Sequence, residues 1–114
     1  MNLNILILAL IMVESNGNDQ AIGDNGKAYG CLQIHAIMVQ DVNRIAKTNY
    51  KHTDAFTRRH AVAICRIYLN HYGGNWEEMA RKWNGGPKGH KKEATTKYWH
   101  KVQRNLTIIQ ERKN

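Results

Sequence analysis

Cysteine is scarce: Cys31 and Cys65 are the only two in 114 residues. That is too few for the disulfide framework of a small secreted scaffold, and neither lies in a Cys-x-x-Cys or zinc-ligand spacing. Free, buried thiols are expected rather than a bridge. No apolar run reaches the roughly 18 to 20 residues needed to cross a bilayer, so a transmembrane helix is excluded. The histidines, His35, His52, His60, His71, His90 and His100, show no ligand spacing such as His-Glu-x-x-His, and no metal or cofactor is expected. Gly85-Gly86-Pro87-Lys88-Gly89 lacks the strand context and the Lys-Ser/Thr ending of a phosphate-binding loop. Repeats, low-complexity tracts and linkers are missing too, and the length suits a single domain over residues 1–114.

What the chain does contain is an ordinary globular mixture, 42% apolar and 23% charged, enough to build a core. Its net charge is +8, and the excess is localised. Acidic and basic side chains balance over the first eighty residues, whereas from Arg81 to Asn114 ten Lys and Arg stand against two acids. An anionic partner follows: nucleic acid, anionic lipid and acidic cell-wall polymer all suit such a segment, and so does a merely solvated helix face.

Ile5 to Val13 (ILILALIMV) has the length and apolarity of a signal-peptide core. No Lys or Arg precedes it, and it runs into Glu14-Ser15-Asn16-Gly17 without a small-x-small cleavage site. It is therefore read as the first and most buried helix, about Asn4 to Glu14, with no cleavable export signal. Apolar periodicity places further helices from Ile34 to about Lys47, after Thr53-Asp54 as far as Gly73-Gly74, from an Asn75 cap through Trp83, and from about Thr95 onward. The last carries Tyr98, Val102, Leu106 and Ile109 on one stripe. Between the first two helices lies a loop with Gly17, Gly23, Gly26 and Gly30, long enough to suggest function. With no clear alternating strand pattern, the fold class is all-α or mainly α.

Glu14 ends the apolar run. If its carboxyl faces the low-dielectric interior, desolvation favours the protonated form and makes it a general acid; if the helix end faces water, it is an ordinary exposed glutamate. Asp24, in Ile22-Gly23-Asp24-Asn25-Gly26, offers a second carboxylate in the loop that would wall a cleft.

Three separated motifs bear on that choice. Glu14-Ser15 is followed by a small polar loop, then by Gly30-Cys31-Leu32-Gln33-Ile34, then by Ala80-Arg81-Lys82-Trp83-Asn84-Gly85-Gly86-Pro87 and Thr96-Lys97-Tyr98. In order and spacing they resemble the Glu-Ser, Gly-Leu-Met-Gln, Ala-x-x-Tyr-Asn-Ala-Gly and Thr-x-x-Tyr elements of goose-type lysozymes and soluble lytic transglycosylases. The resemblance runs from the first helix to about Val102. It implies a mainly α, lysozyme-like single domain with an active-site cleft, acting on peptidoglycan glycan strands between N-acetylmuramic acid and N-acetylglucosamine.

By the same resemblance Glu14 is the general acid and Ser15 helps to orient it. Gly30 and Gln33 line the cleft, Asn84 ties the short helix to the site, and Tyr98 reaches toward Glu14. Trp83, where the family usually has tyrosine, either stacks on a sugar face or belongs to the core. Cleaving the bond requires a proton on the leaving oxygen and something to trap the oxocarbenium-like centre. A second carboxylate about 6.5 to 9.5 Å away can activate water for hydrolysis; without one, the substrate's own 6-hydroxyl or acetamido group can react and leave an anhydro product. Asp24 stands where goose-type lysozymes resemble it in carrying a carboxylate, which favours a muramidase over a lytic transglycosylase. The chain departs from the pattern at His35, where those lysozymes often have an acid, at Cys31 for leucine, and in being shorter than typical members.

The expected protein is a monomeric bacteriolytic enzyme of the cell wall, held there by its basic C-terminal third and suited to a phage-encoded endolysin. A helical nucleic-acid-binding module, motivated by the charge beside Trp83, Tyr98 and Trp99, is the competing class. It leaves the Glu-Ser, glycine-glutamine and Trp-Asn-Gly-Gly elements unexplained.

Overall fold

The computed structural model describes residues 2–113. Five helices carry the fold: α1 (Leu3–Ser15), α2 (Ala36–Ala46), α3 (Arg58–Tyr72), α4 (Trp76–Gly85) and α5 (Thr96–Lys113). Between α1 and α2 a two-stranded antiparallel hairpin pairs β1 (Ile22–Gly23) with β2 (Ala28–Tyr29), in the register Ile22 to Tyr29 and Gly23 to Ala28. Two-residue strands are too short to show alternation, which is why the sequence pattern does not reveal them. Their turn is legible in hindsight. Asp24, Asn25 and Gly26 all take positive φ, a conformation that Asn, Asp and Gly tolerate best.

The apolar run at the N-terminus becomes α1, with Leu6, Ile7 and Leu10 fully enclosed. It packs along α5, whose Tyr98, Val102, Leu106 and Ile109 form the buried stripe. The helix ends at Asn16, in the left-handed conformation at φ 54. α4 begins as its sequence implies: the Asn75 side chain accepts from the Glu78 N–H at 2.8 Å and the Glu78 carboxylate accepts from the Asn75 N–H at 3.0 Å, a capping box.

Two boundaries differ from the periodicity reading. Ile34 is not the start of α2: it is buried in an isolated bridge with Tyr29, and the helix opens two residues later. Within α2, Ile37 is 72% exposed, while Val39 and Val42 take the core positions. Nor do Thr53 and Asp54 cap α3. Residues His52–Phe56 form a separate 3-10 turn in which Asp54 accepts from the Lys51 N–H at 2.8 Å, and Phe56 stacks on Tyr29 instead of entering the helix.

α3 and α4 are joined by a device that periodicity does not show. Lys82 is buried, and its Nζ donates to the carbonyls of Tyr72 (2.9 Å) and Gly73 (3.0 Å) at the C-terminal end of α3. A cation there satisfies carbonyls that have no helical partner. Its neighbour Arg81 faces the other way, donating to Thr95 Oγ1, Glu77 and the Lys92 carbonyl, and so fixes the segment that leads into α5. Cys31 and Cys65 are both free and buried.

Candidate active site

A cleft of about 180 Å³ opens between the hairpin, the start of α2 and the end of α4. Glu14, Asp24, Gln33, His35, Trp83 and Asn84 line it, with Ala28 and Met38 completing the wall. Residues scattered over seventy positions of sequence thus share one small space. A larger cavity of about 490 Å³ lies beyond Met38, lined by Ile37, Tyr68, Tyr72 and Pro87 among others. It is mainly apolar, and its charged residues Asp41 and Arg44 are paired with each other.

Glu14 projects from the last turn of α1 with most of its carboxyl desolvated. Burial pushes its pKa up to about 7 against an ordinary 4.5, partly offset by the Tyr98 hydroxyl, the Lys101 charge and Trp83. Tyr98 donates its hydroxyl to Glu14 Oε2 at 2.8 Å. The carboxyl is therefore held in one orientation and still carries its proton on about half of the molecules at pH 7, which suits a general acid. Tyr98 itself is buried on the core stripe and is not part of the cleft lining; it positions Glu14 from behind.

Asp24 enters from the hairpin turn at φ 47. Its side chain is 59% exposed and its Oδ2 lies 3.2 Å from His35 Nε2. Gln33, also at positive φ, lines the cleft but spends its amide on the loop, donating from Nε2 to the carbonyls of Gly30 (3.0 Å) and Ala21 (3.3 Å). Its Oε1 lies where a Cβ on Gly23 would project, so position 23 accepts no side chain without displacing it. Gly30 is not in the cleft wall. It has φ 81, and a Cβ there would collide with the Ala55 carbonyl; its role is to let the loop press against the 3-10 turn. Ser15 is likewise outside the cleft. Its hydroxyl donates to the Cys31 carbonyl at 2.8 Å and accepts from the N–H groups of Gly17 and Asn18, so it ties the end of α1 to the Gly30-Cys31 element and makes no bond to Glu14.

Trp83 is only 4% exposed and packs edge-on against Tyr68 at 5.3 Å between ring centres. Its burial matches the core role, and the same residue borders the cleft beside Glu14. Asn84, one residue on, is exposed at the cleft wall. His35 is the cleft residue that motif reading set aside, because its spacing to other histidines has no metal-ligand meaning; the signal was its place just after the glycine-glutamine element. Among the described residues no group of three His, Cys, Asp or Glu is arranged to hold a metal ion.

A largely desolvated glutamate whose pKa is raised to about 7 thus faces a small cleft on a mainly helical fold, an arrangement of the kind a glycosidase uses for its acid. Residues 2–106 match the family model described as Transglycosylase SLT domain, and the chain belongs to that family. It is thus a peptidoglycan-acting enzyme of the lytic transglycosylase and lysozyme-like class. No curated protein matches the chain. Among the described residues no helix is long and apolar enough to cross a membrane.

Proposed function

We propose that the protein is a muramidase, hydrolysing the bond between N-acetylmuramic acid and N-acetylglucosamine with Glu14 as general acid and Asp24 as the carboxylate that handles water. The observation that carries this reading is the presence of Asp24 in the same cleft as the desolvated Glu14. Glu14 gives its proton to the glycosidic oxygen as the bond to C1 of the muramic acid breaks. Water then attacks C1 and passes a proton to Asp24. The raised pKa of Glu14 keeps that proton available near neutral pH. Gln33 and Asn84 bound the space that the sugar occupies, and Tyr98 keeps the acid aimed. Lys88, Lys91, Lys92 and Lys97, all exposed, would hold the monomeric enzyme on anionic wall polymers.

Mass spectrometry of fragments released from purified peptidoglycan tests the reading. Reducing-end muropeptides from the wild type and none from Glu14→Gln are expected, with kcat/KM falling above pH about 7 as Glu14 loses its proton. Fragments lighter by one water, with 1,6-anhydro ends, would make the protein a lytic transglycosylase. Strong, salt-dependent nucleic-acid binding indifferent to Glu14→Gln, without wall cleavage, would move it to the competing class.

A further inference from the structure

His35 stands between two cavities. It lines the catalytic cleft with Glu14 and Asp24 and, on its other side, an open groove with Lys27, Tyr29 and His52. It occupies the N-cap position of α2 and yet makes no side-chain cap bond. Its ring lies instead beside Asp24, with 3.2 Å from Nε2 to Oδ2.

The pairing joins the hairpin turn to the start of α2 within the cleft lining. Asp24 belongs to an exposed left-handed turn, whose aspartate would by itself sample several rotamers. His35, in contrast, follows a rigid segment. Tyr29 and Ile34 exchange two backbone hydrogen bonds at 3.0 and 2.8 Å, His52 Nε2 contacts the Ile34 carbonyl at 2.7 Å, and the His52 ring stacks on Tyr29 at 3.7 Å. The backbone that carries the imidazole is thus fixed on its N-terminal side, whereas the aspartate sits on an exposed turn.

We infer that His35 is a positioning residue that sets the reaction outcome: its Nε2–H holds Asp24 Oδ2, leaving Oδ1 to orient the attacking water across from Glu14. This rests on the muramidase reading above. With the water held, its oxygen bonds to C1 and its proton goes to Asp24. With Asp24 unpinned, the 6-hydroxyl oxygen of the muramic acid bonds to C1 instead, and its proton returns to the Glu14 carboxylate. The two products differ by one water.

The test is the ratio of reducing-end to 1,6-anhydro fragments from purified peptidoglycan for the wild type, His35→Ala, His35→Gln, Asp24→Ala and the double variant His35→Ala/Asp24→Ala. His35→Ala is expected to lower the ratio about tenfold, a scale usual for a misplaced reacting group. His35→Gln, which keeps an N–H of similar reach, restores most of it. In the Asp24→Ala background His35→Ala changes nothing further. A ratio within about twofold of wild type in a folded His35→Ala, or an equal drop in both backgrounds, overturns the assignment. Should His35→Ala not fold, a His35→Gln ratio as low as that of Asp24→Ala overturns it, and one near wild type supports it. Wild-type protein that makes only anhydro ends refutes the muramidase reading and this inference with it. Reducing ends whose yield ignores residue 35 refute the inference alone.

Discussion

Glu14 weakens the fold when it loses its proton. Because burial raises its pKa from 4.5 to about 7, the folded state favours the neutral form. Stability is full below pH 4.5, declines as pH rises toward 7, and is lowest where the buried carboxylate is charged. By linkage the charged form costs up to about 3 kcal/mol. Glu14→Gln keeps the shape and removes the charge. It should therefore be inactive, equal in stability to the wild type at pH 4, and more stable at pH 8 to 9 by as much as about 3 kcal/mol. Urea unfolding at the two pH values checks this, and equal midpoints at pH 9 would mean that the carboxyl is not desolvated.

At the scale of elements, the joint between α3 and α4 depends on the Lys82 ammonium. Lys82→Met leaves the Tyr72 and Gly73 carbonyls without their donor and should cost about 2 kcal/mol, or about 8 °C in Tm, whereas Lys88→Met on the exposed loop should cost almost nothing. Thermal unfolding of the two variants distinguishes a cap from a general loss of charge. This joint also shows where sequence reading stops. α1, α4 and α5 were legible because an apolar run, a capping box and a four-stepped stripe are local signals. The 3-10 turn before α3 was not, because Asp54 looks like a helix cap until its partner is seen to be the Lys51 N–H. In the site, Glu14 and Asp24 could be singled out from their surroundings in sequence. The motif resemblance suggested the line from Tyr98 to Glu14, but not that Ser15 bonds Cys31 or that Trp83 is enclosed, since those depend on which way a side chain turns after packing. Lys82 reads as one more surface lysine for the same reason.

Across the whole molecule, most of the surplus charge stands apart from Glu14, although Lys101 on α5 is close enough to act on its carboxyl. The catalytic cleft has one desolvated carboxyl, while the surplus lysines lie on α5 and the segment before it. Retention on walls should therefore weaken steeply from 50 to 500 mM salt, as screening shortens the reach of exposed charges. Replacing Lys88, Lys91 and Lys92 together by Glu should lower co-sedimentation with walls about tenfold at low salt and leave cleavage of short soluble glycan fragments within about twofold. Loss of both activities together would place those lysines in the catalytic cleft. The bond between Tyr98 and Glu14 spans 84 positions of chain, and it has a consequence for synthesis. A nascent chain still lacking α5 has neither the hydroxyl that aims the acid nor the apolar stripe that closes over α1. On the proposed role of Glu14, catalytic competence therefore arrives only when translation has passed the end of that stripe.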